Sequence, residues 1–501
     1  MEFKKLLKAI NYTSIHNEIP KDITGIAYDS RKVKRGDLFV AIQGEKKDGI
    51  KYENDAVIRG AACVVAKEYN RDIQGICQVI VEDPRISLSL LAKEFYKNPS
   101  SRLCVVGVTG TNGKTTITYL IENIFRIASR KPVIIGTVNY RFMDQRKKAV
   151  NTTPESLDIN QMMSEYLSQG ATDLIMEVSS HAISQHRVNG INFDIAIFTN
   201  LTQDHLDYHK TMENYYAAKA QLFEKILPVS NKDNKFAILN SDDPWVKRIN
   251  IKKGIHVLKF GISSIADTRL IESSVSLDGI KMNLSTPIGI IELSSALVGY
   301  YNIYNIMAAV SAAIVAKVDY QHIKQGIESL TGVPGRVERV NNPKGIYAFV
   351  DYAHTPDALE KVLRALAGLK KRKLITVFGC GGDRDKGKRP IMGDIAARLS
   401  DLTIITSDNP RSEASANIIY DIEQGIKGVK KATDTKDKST GKIYTVIEDR
   451  KDAIKAALDI AENGDVVLIA GKGHEDYQIF SDKTIHFSDR EEIMRYFGLL
   501  E

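Results

Sequence analysis

The sequence predicts an α/β protein of three domains, and three observations lead to that prediction. The chain has 501 residues, and a folded domain commonly contains about 100–200 residues. Short apolar runs alternate with runs of helical periodicity, which is typical of mostly parallel sheets. Turn-forming residues interrupt the pattern near positions 98–101 and 332–335. We therefore expect domains over residues 1–100, 101–332 and 333–501.

The first two blocks contain several apolar runs of strand length. These strand candidates lie at residues 37–42, 62–66, 103–108, 174–178, 195–198 and 236–239. After the run at 103–108, apolar residues recur with the spacing i, i+3, i+4, i+7 and i+8: Ile117, Leu120, Ile121, Ile124 and Phe125. That spacing predicts an amphipathic helix packed on a sheet.

The third block repeats the alternation. Its strand candidates lie at residues 348–351, 374–378, 402–406 and 466–470. Between the first two strand candidates the spacing of apolar residues predicts a helix. One face of this helix is formed by Leu359, Val362, Leu363 and Leu366. We expect a Rossmann-like parallel sheet here, interrupted by a polar surface loop at residues 430–442.

Composition argues against several classes of function. The net charge of +7 comes from 69 Lys and Arg against 62 Asp and Glu, a mild excess that suits anionic ligands and predicts no nucleic-acid binding. The four cysteines form no C-x-x-C pair, so neither a zinc site nor a disulfide framework is expected. The N-terminal apolar stretch is too short for a signal peptide, and no apolar run of about 18 residues occurs. We expect a cytoplasmic monomer without membrane insertion.

A glycine-containing loop between a predicted strand and a predicted helix is the strongest local motif. Its residues are Gly110, Thr111, Asn112, Gly113, Lys114, Thr115 and Thr116. Glycines let backbone amides approach phosphates, the helix N-terminus favours anions, and lysine and threonine suit phosphate and Mg²⁺. Val108 stands where the common P-loop pattern has its first glycine. The alternative is a glycine turn that caps a helix, but the context favours nucleotide binding and a central P-loop ATPase domain.

Two further positions have residue types suited to metal binding, and a third is a lysine with two possible surroundings. Glu177 follows an apolar strand, where a carboxylate is a natural Mg²⁺ ligand or part of a structural ion pair. The segment 199–209, which includes His205, is dense in metal-capable groups. Lys219 shares i+4 spacing with Tyr215 and Phe223, so it is either a solvated lysine or part of a packed face.

The loop sequence TGTNGKTT resembles that of the Mur ligases and folylpolyglutamate synthetases, which condense a carboxylate with an amine using ATP. The Mur resemblance continues in EVSSH at Glu177, TN-x-x-x-DH-x-D at His205 and YYAAKAQLF at Lys219. It implies ATP, two Mg²⁺ ions and a carbamate on Lys219. The metal ligands that it implies are Thr115, Glu177, His205 and Lys219, and the catalytic residues are Lys114, Lys219, Glu177 and His205.

The resemblance also implies nucleotide contacts outside the loop. Asn302 lies in GYYNIYNIMAA, where asparagine would otherwise be an ordinary helix cap. The family pattern implies that Asn302 contacts adenine. It further implies that Arg336 binds nucleotide phosphates and that Asp351 binds the ribose, for which a hydrogen-bond-accepting carboxylate is physically reasonable.

A second group of motifs resembles the binding site for a UDP-muramoyl-dipeptide. The matching positions are Ser30, Asn151, Thr152, Thr153, Ser179, Gln185 and Arg187. They imply UDP-N-acetylmuramoyl-L-alanyl-D-glutamate as a substrate, and Arg187 is suited to pair with a carboxylate or phosphate. The region 44–52 lacks a histidine-containing tract found in some relatives, so its uridine contacts stay open.

The third block carries the choice of amino acid. Pro410 fixes a turn that aims Asp408, Asn409 and Arg411, and the planar fork of Arg411 suits a carboxylate. The DNPR motif resembles diaminopimelate-adding Mur ligases, and Arg384, Gly471 and Glu475 match the same site. The resemblance implies meso-diaminopimelate as the amine substrate and an acyl-phosphate intermediate. The alternatives are the L-lysine-adding ligase, a folylpolyglutamate synthetase, a P-loop kinase or ATPase, and a non-catalytic nucleotide-binding protein.

Overall fold

The computed structural model describes residues 1–44, 49–433, 435 and 441–500. The chain forms two compact units. The first comprises Met1–Arg269, Ser285–Gly289 and Asn305–Gly326, and the second comprises Leu270–Leu284, Ile290–Tyr304 and Ile327–Glu501. The α/β fold class is confirmed, and the predicted domain boundaries near residues 100 and 332 stay predictions.

The N-terminal part of the first unit is a five-stranded sheet with the order β1-β5-β4-β3-β2. Its elements are α1 (Phe3–Leu7), β1 (Ser14–His16), β2 (Ile26–Ala27), β3 (Leu38–Val40), α2 (Glu53–Ile58), β4 (Cys63–Ala66), β5 (Cys77–Ile80) and α3 (Pro84–Phe95). Only β1 is antiparallel to its neighbour. Helix α3 begins where Asp83 accepts hydrogen bonds from the amides of Arg85 and Ile86, as a good N-cap does. The strands predicted at 37–42 and 62–66 are confirmed.

The remainder of the first unit contains a larger sheet whose centre is parallel. Its strands are β6 (Cys104–Thr109), β7 (Pro132–Ile135), β8 (Asn139–Phe142), β9 (Gln145–Lys148), β10 (Asp173–Glu177), β11 (Ile195–Phe198), β12 (Phe236–Asn240), β13 (His256–Gly261) and the start of β14 (Thr268–Ser276). Their order is β14-β13-β12-β11-β6-β10-β7-β8-β9. Among these strands only the pairs β7–β8 and β8–β9 are antiparallel. The five helices between them are α4 (Lys114–Ile127), α5 (Ser156–Ser168), α6 (Ser180–Ser184), α7 (Leu206–His209) and α8 (Met212–Gln221).

The predicted amphipathic helix is α4. The side chains of Ile117, Leu120, Ile121, Ile124 and Phe125 are all buried, which confirms the periodicity. Helix α8 continues into a π-helical turn, Leu222–Ile226. Short 3₁₀ turns lie at Ser30–Lys32, Gly49–Tyr52, Pro99–Arg102 and Val246–Arg248.

Two further strands and two helices come next in the chain. They are β15 (Gly279–Thr286), β16 (Gly289–Ser295), α9 (Tyr301–Val315) and α10 (Tyr320–Glu328). The two strands follow β14 in the sheet order β16-β15-β14. Helix α9 crosses from the second unit to the first between Tyr304 and Asn305. Across residues 1–44, 49–433 and 441–500, no helix is long and apolar enough to cross a membrane.

The C-terminal sheet has the strand order β17-β18-β23-β19-β20-β22-β21, and all its pairs except β17–β18 are parallel. Its strands, with a separate hairpin of β24 and β25, are β17 (Glu338–Val340), β18 (Tyr347–Asp351), β19 (Leu374–Phe378), β20 (Leu402–Ile405), β21 (Lys430–Lys431), β22 (Ile443–Val446), β23 (Val466–Ala470), β24 (Tyr477–Ile479) and β25 (Thr484–His486). The helices are α11 (Pro356–Leu369), α12 (Lys388–Leu399), α13 (Ser415–Glu423), α14 (Arg450–Ile460) and α15 (Asp489–Tyr496).

All four strands predicted in the third block are present, and the predicted helix face lies buried in α11. The loop predicted at 430–442 begins with the short strand β21, and residues 434 and 436–440 lie outside the described part of the chain. Residues 45–48 of the unassigned region 44–52 also lie outside it.

The order of strands explains why the polar motifs come together. In the first unit β6 lies between β10 and β11, so the loop after β6 is flanked by the ends of both neighbours. In the second unit β18, β23, β19 and β20 are adjacent. Their carboxyl ends lead into the segments that contain Asp351, Gly471 and Asp408. Ligands of open parallel sheets bind at this edge.

Candidate active site

The loop after β6 is held by residues that follow β11. The carbonyl of Asn200 accepts from the Thr111 amide at 2.8 Å, and its side-chain oxygen accepts from the Asn112 amide at 3.0 Å. The hydroxyl of Thr199 donates to the Asn112 carbonyl at 2.6 Å. Gly110 has φ +142°, and a side chain there would place its Cβ 1.9 Å from the Thr199 hydroxyl. Glycine is therefore required at position 110 by both backbone conformation and space.

The side-chain nitrogens of two lysines meet at the same loop. Lys114 donates to the carbonyls of Gly110 and Thr111, both at 2.8 Å. Lys219, on α8, donates to the Gly110 carbonyl at 2.9 Å and is 1% exposed. Burial, with the nearby charge of Lys114, holds the pKa of Lys219 well below its usual range. The packed-face interpretation of Lys219 is therefore correct, and the solvated-lysine alternative is wrong.

Glu177 connects the loop to the segment after β7. Its carboxylate accepts from the Thr115 hydroxyl at 3.1 Å, the Thr137 hydroxyl at 2.9 Å and the Thr137 amide at 2.9 Å. The Thr137 hydroxyl is also 3.0 Å from the hydroxyl of Thr152. A continuous hydrogen-bonded series thus joins Thr115 to Thr152 of the predicted dipeptide-binding segment. Thr115 belongs to the loop at residues 110–116 that is predicted to bind phosphate, called the phosphate loop below.

Further predicted dipeptide-binding residues form a second connected group. Thr153 donates to the Glu177 carbonyl at 2.8 Å, and its hydroxyl accepts from the Ser179 amide at 3.1 Å. Arg187 donates to the Thr153 carbonyl at 2.9 Å and to the Gln185 side chain at 2.6 Å. The structure therefore places Thr153, Ser179, Gln185 and Arg187 in one cluster.

This cluster is also connected to the N-terminal sheet. Arg187 forms an ion pair with Glu155 at 3.0 Å, and Glu155 pairs with Arg85 at 3.2 Å. The Tyr28 hydroxyl donates to Asp158 at 2.6 Å. Asn151 accepts from the hydroxyl of Tyr140 through its backbone carbonyl. Ser30 is buried at the start of its 3₁₀ turn.

His205 lies at the N-terminus of α7 with φ +52°. Its ring is 5.0 Å from that of His181 and 6.0 Å from that of Tyr215. Partial burial lowers its pKa, which favours the neutral form that a metal-binding imidazole requires. Burial also lowers the pKa of the neighbouring His209 to about 4.

The two asparagines of α9 have different surroundings. Asn302 is buried in the second unit and donates to the Val298 carbonyl at 2.8 Å. Asn305, in the first unit, approaches the phosphate loop so closely that a Cβ on Gly113 would lie 2.3 Å from its side-chain oxygen. The sequence motif includes Asn305 but predicts no contact for it. The structure shows that Asn305 packs against the phosphate loop.

The predicted nucleotide residues of the second unit, Arg336 and Asp351, lie near each other. Buried Asp351 accepts from the amides of Val337 and Ala353, both at 2.7 Å. Burial raises the pKa of Asp351, while the charge of Arg336 opposes that change. The Arg336 guanidinium lies 5.0 Å from the centre of the Tyr352 ring.

The DNPR segment follows β20 and is folded tightly against neighbouring loops. Arg411 has φ +53° and donates to the Gly382 carbonyl at 2.7 Å. A Cβ on Gly382 would lie 1.9 Å from the Pro410 carbonyl. Arg384 is exposed, and its side chain has a long contact of 3.5 Å to the Asp383 carbonyl. Arg411 is thus fixed by packing, whereas Arg384 extends into solvent.

Asp408, Asn409, Gly471 and Glu475 also come together. The Asn409 amide donates to Glu475 at 3.0 Å. Gly471 has φ +116°, and a Cβ there would lie 2.7 Å from the Asp408 carboxylate. Lys472, which the sequence analysis left unassigned, contacts both Asn409 and Glu475 at 3.2 Å.

Thr137, Asn200 and Lys472 are the main residues that the sequence analysis missed. Each follows the carboxyl end of a parallel strand within a few residues, which is the signal that would have found them. Apart from the contact of Lys472 with Glu475, their hydrogen-bond partners lie far away in the sequence, so the signal does not identify what they contact.

The donor groups near the loop fit a phosphate and Mg²⁺. In the part of the chain that the structure describes, no three His, Cys, Asp or Glu side chains form a group able to hold a metal ion. The Glu177 carboxylate and the hydroxyls of Thr115 and Thr137 instead form an all-oxygen set. Mg²⁺ prefers oxygen ligands and commonly completes its shell with substrate phosphates.

Three family models match the chain. The model described as Mur ligase family, catalytic domain, matches residues 22–96; the Mur ligase middle domain matches 108–313; and the Mur ligase, glutamate ligase domain, matches 335–473. Together they extend over most of the sequence.

Similar proteins cover nearly the whole chain. A UDP-N-acetylmuramoyl-L-alanyl-D-glutamate–2,6-diaminopimelate ligase of Geobacter metallireducens is 44% identical over 99% of this chain and 98% of that protein. The same-named protein of Geobacter sulfurreducens is 43% identical over 99% of each. A solved structure of a ligase with this name is 33% identical, covers 95% of each chain and has a TM-score of 0.69.

Proposed function

The chain belongs to the Mur ligase family of ATP-dependent ligases, and we propose that it adds meso-diaminopimelate to UDP-N-acetylmuramoyl-L-alanyl-D-glutamate. The product would be a UDP-muramoyl-tripeptide, a precursor of peptidoglycan. Relatives of 42–44% identity that carry this name over nearly their full length support the choice of step.

One structural observation carries the proposal. The series Thr115–Glu177–Thr137–Thr152 joins the phosphate loop to the dipeptide-binding segment through contacts of 2.9–3.1 Å. A phosphoryl group on the loop and a carboxylate on that segment would therefore be held by connected side chains. Transfer of phosphate to a carboxylate needs this proximity.

Phosphate binding would use the loop amides, the N-terminus of α4 and Lys114. In the structure Lys114 contacts two loop carbonyls, and a bound phosphate would offer its ammonium a charged acceptor instead. Thr115 and Glu177 would hold one Mg²⁺, with His205 and a carbamate on Lys219 assigned to a second. Bound Mg²⁺ would neutralise phosphate charge during transfer.

The low pKa of Lys219 supports its modification. Carbamate formation needs a neutral amine, and burial favours that form of a lysine side chain. The modification would replace a buried amine with oxygen atoms that suit Mg²⁺.

The reaction would proceed in two steps. The γ-carboxylate of D-glutamate would take the γ-phosphoryl group of ATP to give an acyl phosphate and ADP. The amine of diaminopimelate would then attack the acyl carbon, and phosphate would leave. Lys114 would stabilise charge in the first step. Arg411 would pair with a carboxylate of the amino acid, and Glu475 with its distal ammonium.

Asn302, Arg336 and Asp351 would bind adenine, phosphates and ribose, and Ser30, Asn151 and Arg187 would help to bind the UDP-dipeptide. We further propose that the protein acts as a monomer in the cytoplasm, where both substrates of this step would be available. Nucleic acid and membrane insertion have no part in the proposed reaction.

The direct test measures phosphate release by the purified protein with ATP, Mg²⁺ and the UDP-muramoyl-dipeptide. Meso-diaminopimelate and L-lysine are added in parallel, and mass spectrometry identifies the product. We expect release and a tripeptide with diaminopimelate. A preference for lysine would overturn the amine assignment, and no product with either amine would contradict the proposed step. Lys114→Ala is the inactive control, and Lys225→Ala, at an exposed position, should behave like the wild type.

A further inference from the structure

Lys472 is a buried cation in the middle of the predicted amino-acid site. It follows Gly471 just beyond the end of β23, and its side chain is 0% exposed. Its Nζ lies 3.2 Å from the Asn409 side-chain oxygen and 3.2 Å from a Glu475 carboxylate oxygen. It lies 3.8 Å from the Asp408 carboxylate. The ammonium therefore contacts three residues assigned to the amino acid.

The energetic cost of this arrangement is considerable. An ammonium removed from water loses several kcal/mol of hydration, and its ion pairs compensate only when the geometry is good. All three contacts are longer than the usual charge-assisted hydrogen bond of about 2.7–2.9 Å. An apolar residue would fill the same volume without this cost, so stability alone does not account for a lysine here.

The charges around Lys472 suggest what the lysine does. Asp408 and Glu475 each contribute a negative charge, while Lys472 and the nearby Arg411 each contribute a positive one. Arg450, which donates to the Ala470 carbonyl, forms a buried ion pair with Asp489, and this pair adds no net charge. Arg384 extends into solvent, so the charges of the four side chains in this cluster sum to zero. The cluster therefore matches an amino-acid centre that carries one ammonium and one carboxylate.

We propose that Lys472 determines the specificity of the site by keeping it electrically neutral and by holding Glu475 and Asn409 in position. This inference rests on the proposed function. The distal centre of diaminopimelate is a zwitterion, whereas the distal end of L-lysine is a lone cation. A neutral site favours the zwitterion, and a site without Lys472 would have one excess negative charge and would favour the cation.

The test is a competition between diaminopimelate and L-lysine, with lysine in large excess and the ratio of the two tripeptide products measured by mass spectrometry. For Lys472→Met we expect this ratio to shift towards lysine by about tenfold or more. The KM values for ATP and the UDP-dipeptide should stay within about twofold of the wild type, because those ligands are bound by other residues.

The double variant Lys472→Met/Glu475→Gln separates specificity from structural damage. It removes one charge of each sign, so neutrality returns and no buried charge is left unpaired. We expect the product ratio to move back towards the wild-type value, although total activity falls. Glu475→Gln alone leaves an excess positive charge and should reject lysine more strongly than the wild type does. These two variants test the proposal even if Lys472→Met does not fold.

An unchanged product ratio in Lys472→Met, or a double variant with the same ratio as the single one, would overturn the inference. A wild-type protein that forms no diaminopimelate product would contradict the proposed function instead. The two failures are thus distinguishable.

Discussion

The side-chain nitrogen of Lys219 lies 2.9 Å from the carbonyl oxygen of Gly110, although the two residues are 109 positions apart in the sequence. The same oxygen accepts from Lys114 at 2.8 Å. A buried lysine on α8 is thereby fixed beside the loop expected to bind phosphate. Repulsion from Lys114, added to burial, favours the neutral form of Lys219, which is the form that a carbamate requires.

Replacement of Lys219 by alanine should reduce ligase activity by about a hundredfold or more, because the proposed oxygen ligand for Mg²⁺ is lost. Phosphate release under saturating substrates measures the effect. Lys225→Ala, with an exposed side chain on the following π-helical turn, is the matched control. A ¹³C NMR carbamate signal from protein in labelled bicarbonate should be present in the wild type and missing from Lys219→Ala. Near-normal turnover of Lys219→Ala would refute the carbamate.

Gly110→Ala should weaken ATP binding by at least about tenfold, because the new Cβ would lie 1.9 Å from the Thr199 hydroxyl and displace the loop. Gly254→Ala is the control: Gly254 also has positive φ, at +90°, but no atom lies within 4 Å of its added Cβ. Gly254→Ala should lower the free energy of unfolding by only about 1–2 kcal/mol, because alanine is strained at positive φ. Isothermal titration calorimetry with ATP and Mg²⁺ compares the two variants. Equal affinities for ATP would contradict the prediction, because the loop would then accommodate the added Cβ without any loss of ATP binding.

Arg411→Ala should raise the KM for diaminopimelate by about ten- to a hundredfold, the loss expected for one charge-assisted hydrogen bond of about 1.5–3 kcal/mol. The KM for ATP should change little. Arg364→Ala, on the exposed face of α11 where Arg364 pairs with Glu360, should leave both values unchanged. If Arg411→Ala raised the two KM values equally, the arginine would be supporting the fold rather than recognising the amino acid.

Glu413→Gln should make stability less dependent on acid pH. Hydrogen bonds from buried Arg389, at 2.8 and 3.0 Å, lower the pKa of Glu413 from 4.5 to about 2. The carboxylate therefore stabilises the folded state at pH values above 4.5, and this contribution is lost as the pH falls towards 2. The variant should be less stable than the wild type by about 2 kcal/mol at neutral pH.

Urea unfolding at a series of pH values measures the difference, which should narrow as the pH falls through the range between the two pKa values. Glu165→Gln, which removes an exposed ion pair with Lys147, should show only a small effect at every pH. A Glu413→Gln deficit that stayed constant down to pH 2 would mean that packing, and not charge, is responsible.

Much of this protein follows from local sequence alone. Apolar periodicity identified the strands on both sides of the phosphate loop and the helix α4, because burial of one helix face depends on residues only a few positions apart. The motifs around Glu177, His205 and Lys219 likewise lie close to strand ends or on one helix. The strands β8 and β9 were not predicted, because neither forms a continuous apolar run. Buried Tyr140 and Phe142 of β8 are separated by Arg141, and all four residues of β9 are polar and exposed.

The contacts that connect the site were decided by tertiary structure. The bond between Thr137 and Glu177 spans 40 residues, and the bond between Lys472 and Asn409 spans 63. The order of strands in each sheet determines which loops become neighbours, and that order depends on crossover connections rather than on local periodicity. Sequence patterns therefore located each polar group separately. The order of strands in the folded sheets determined which of these groups form ion pairs or hydrogen bonds with one another and which lie in the same predicted binding site.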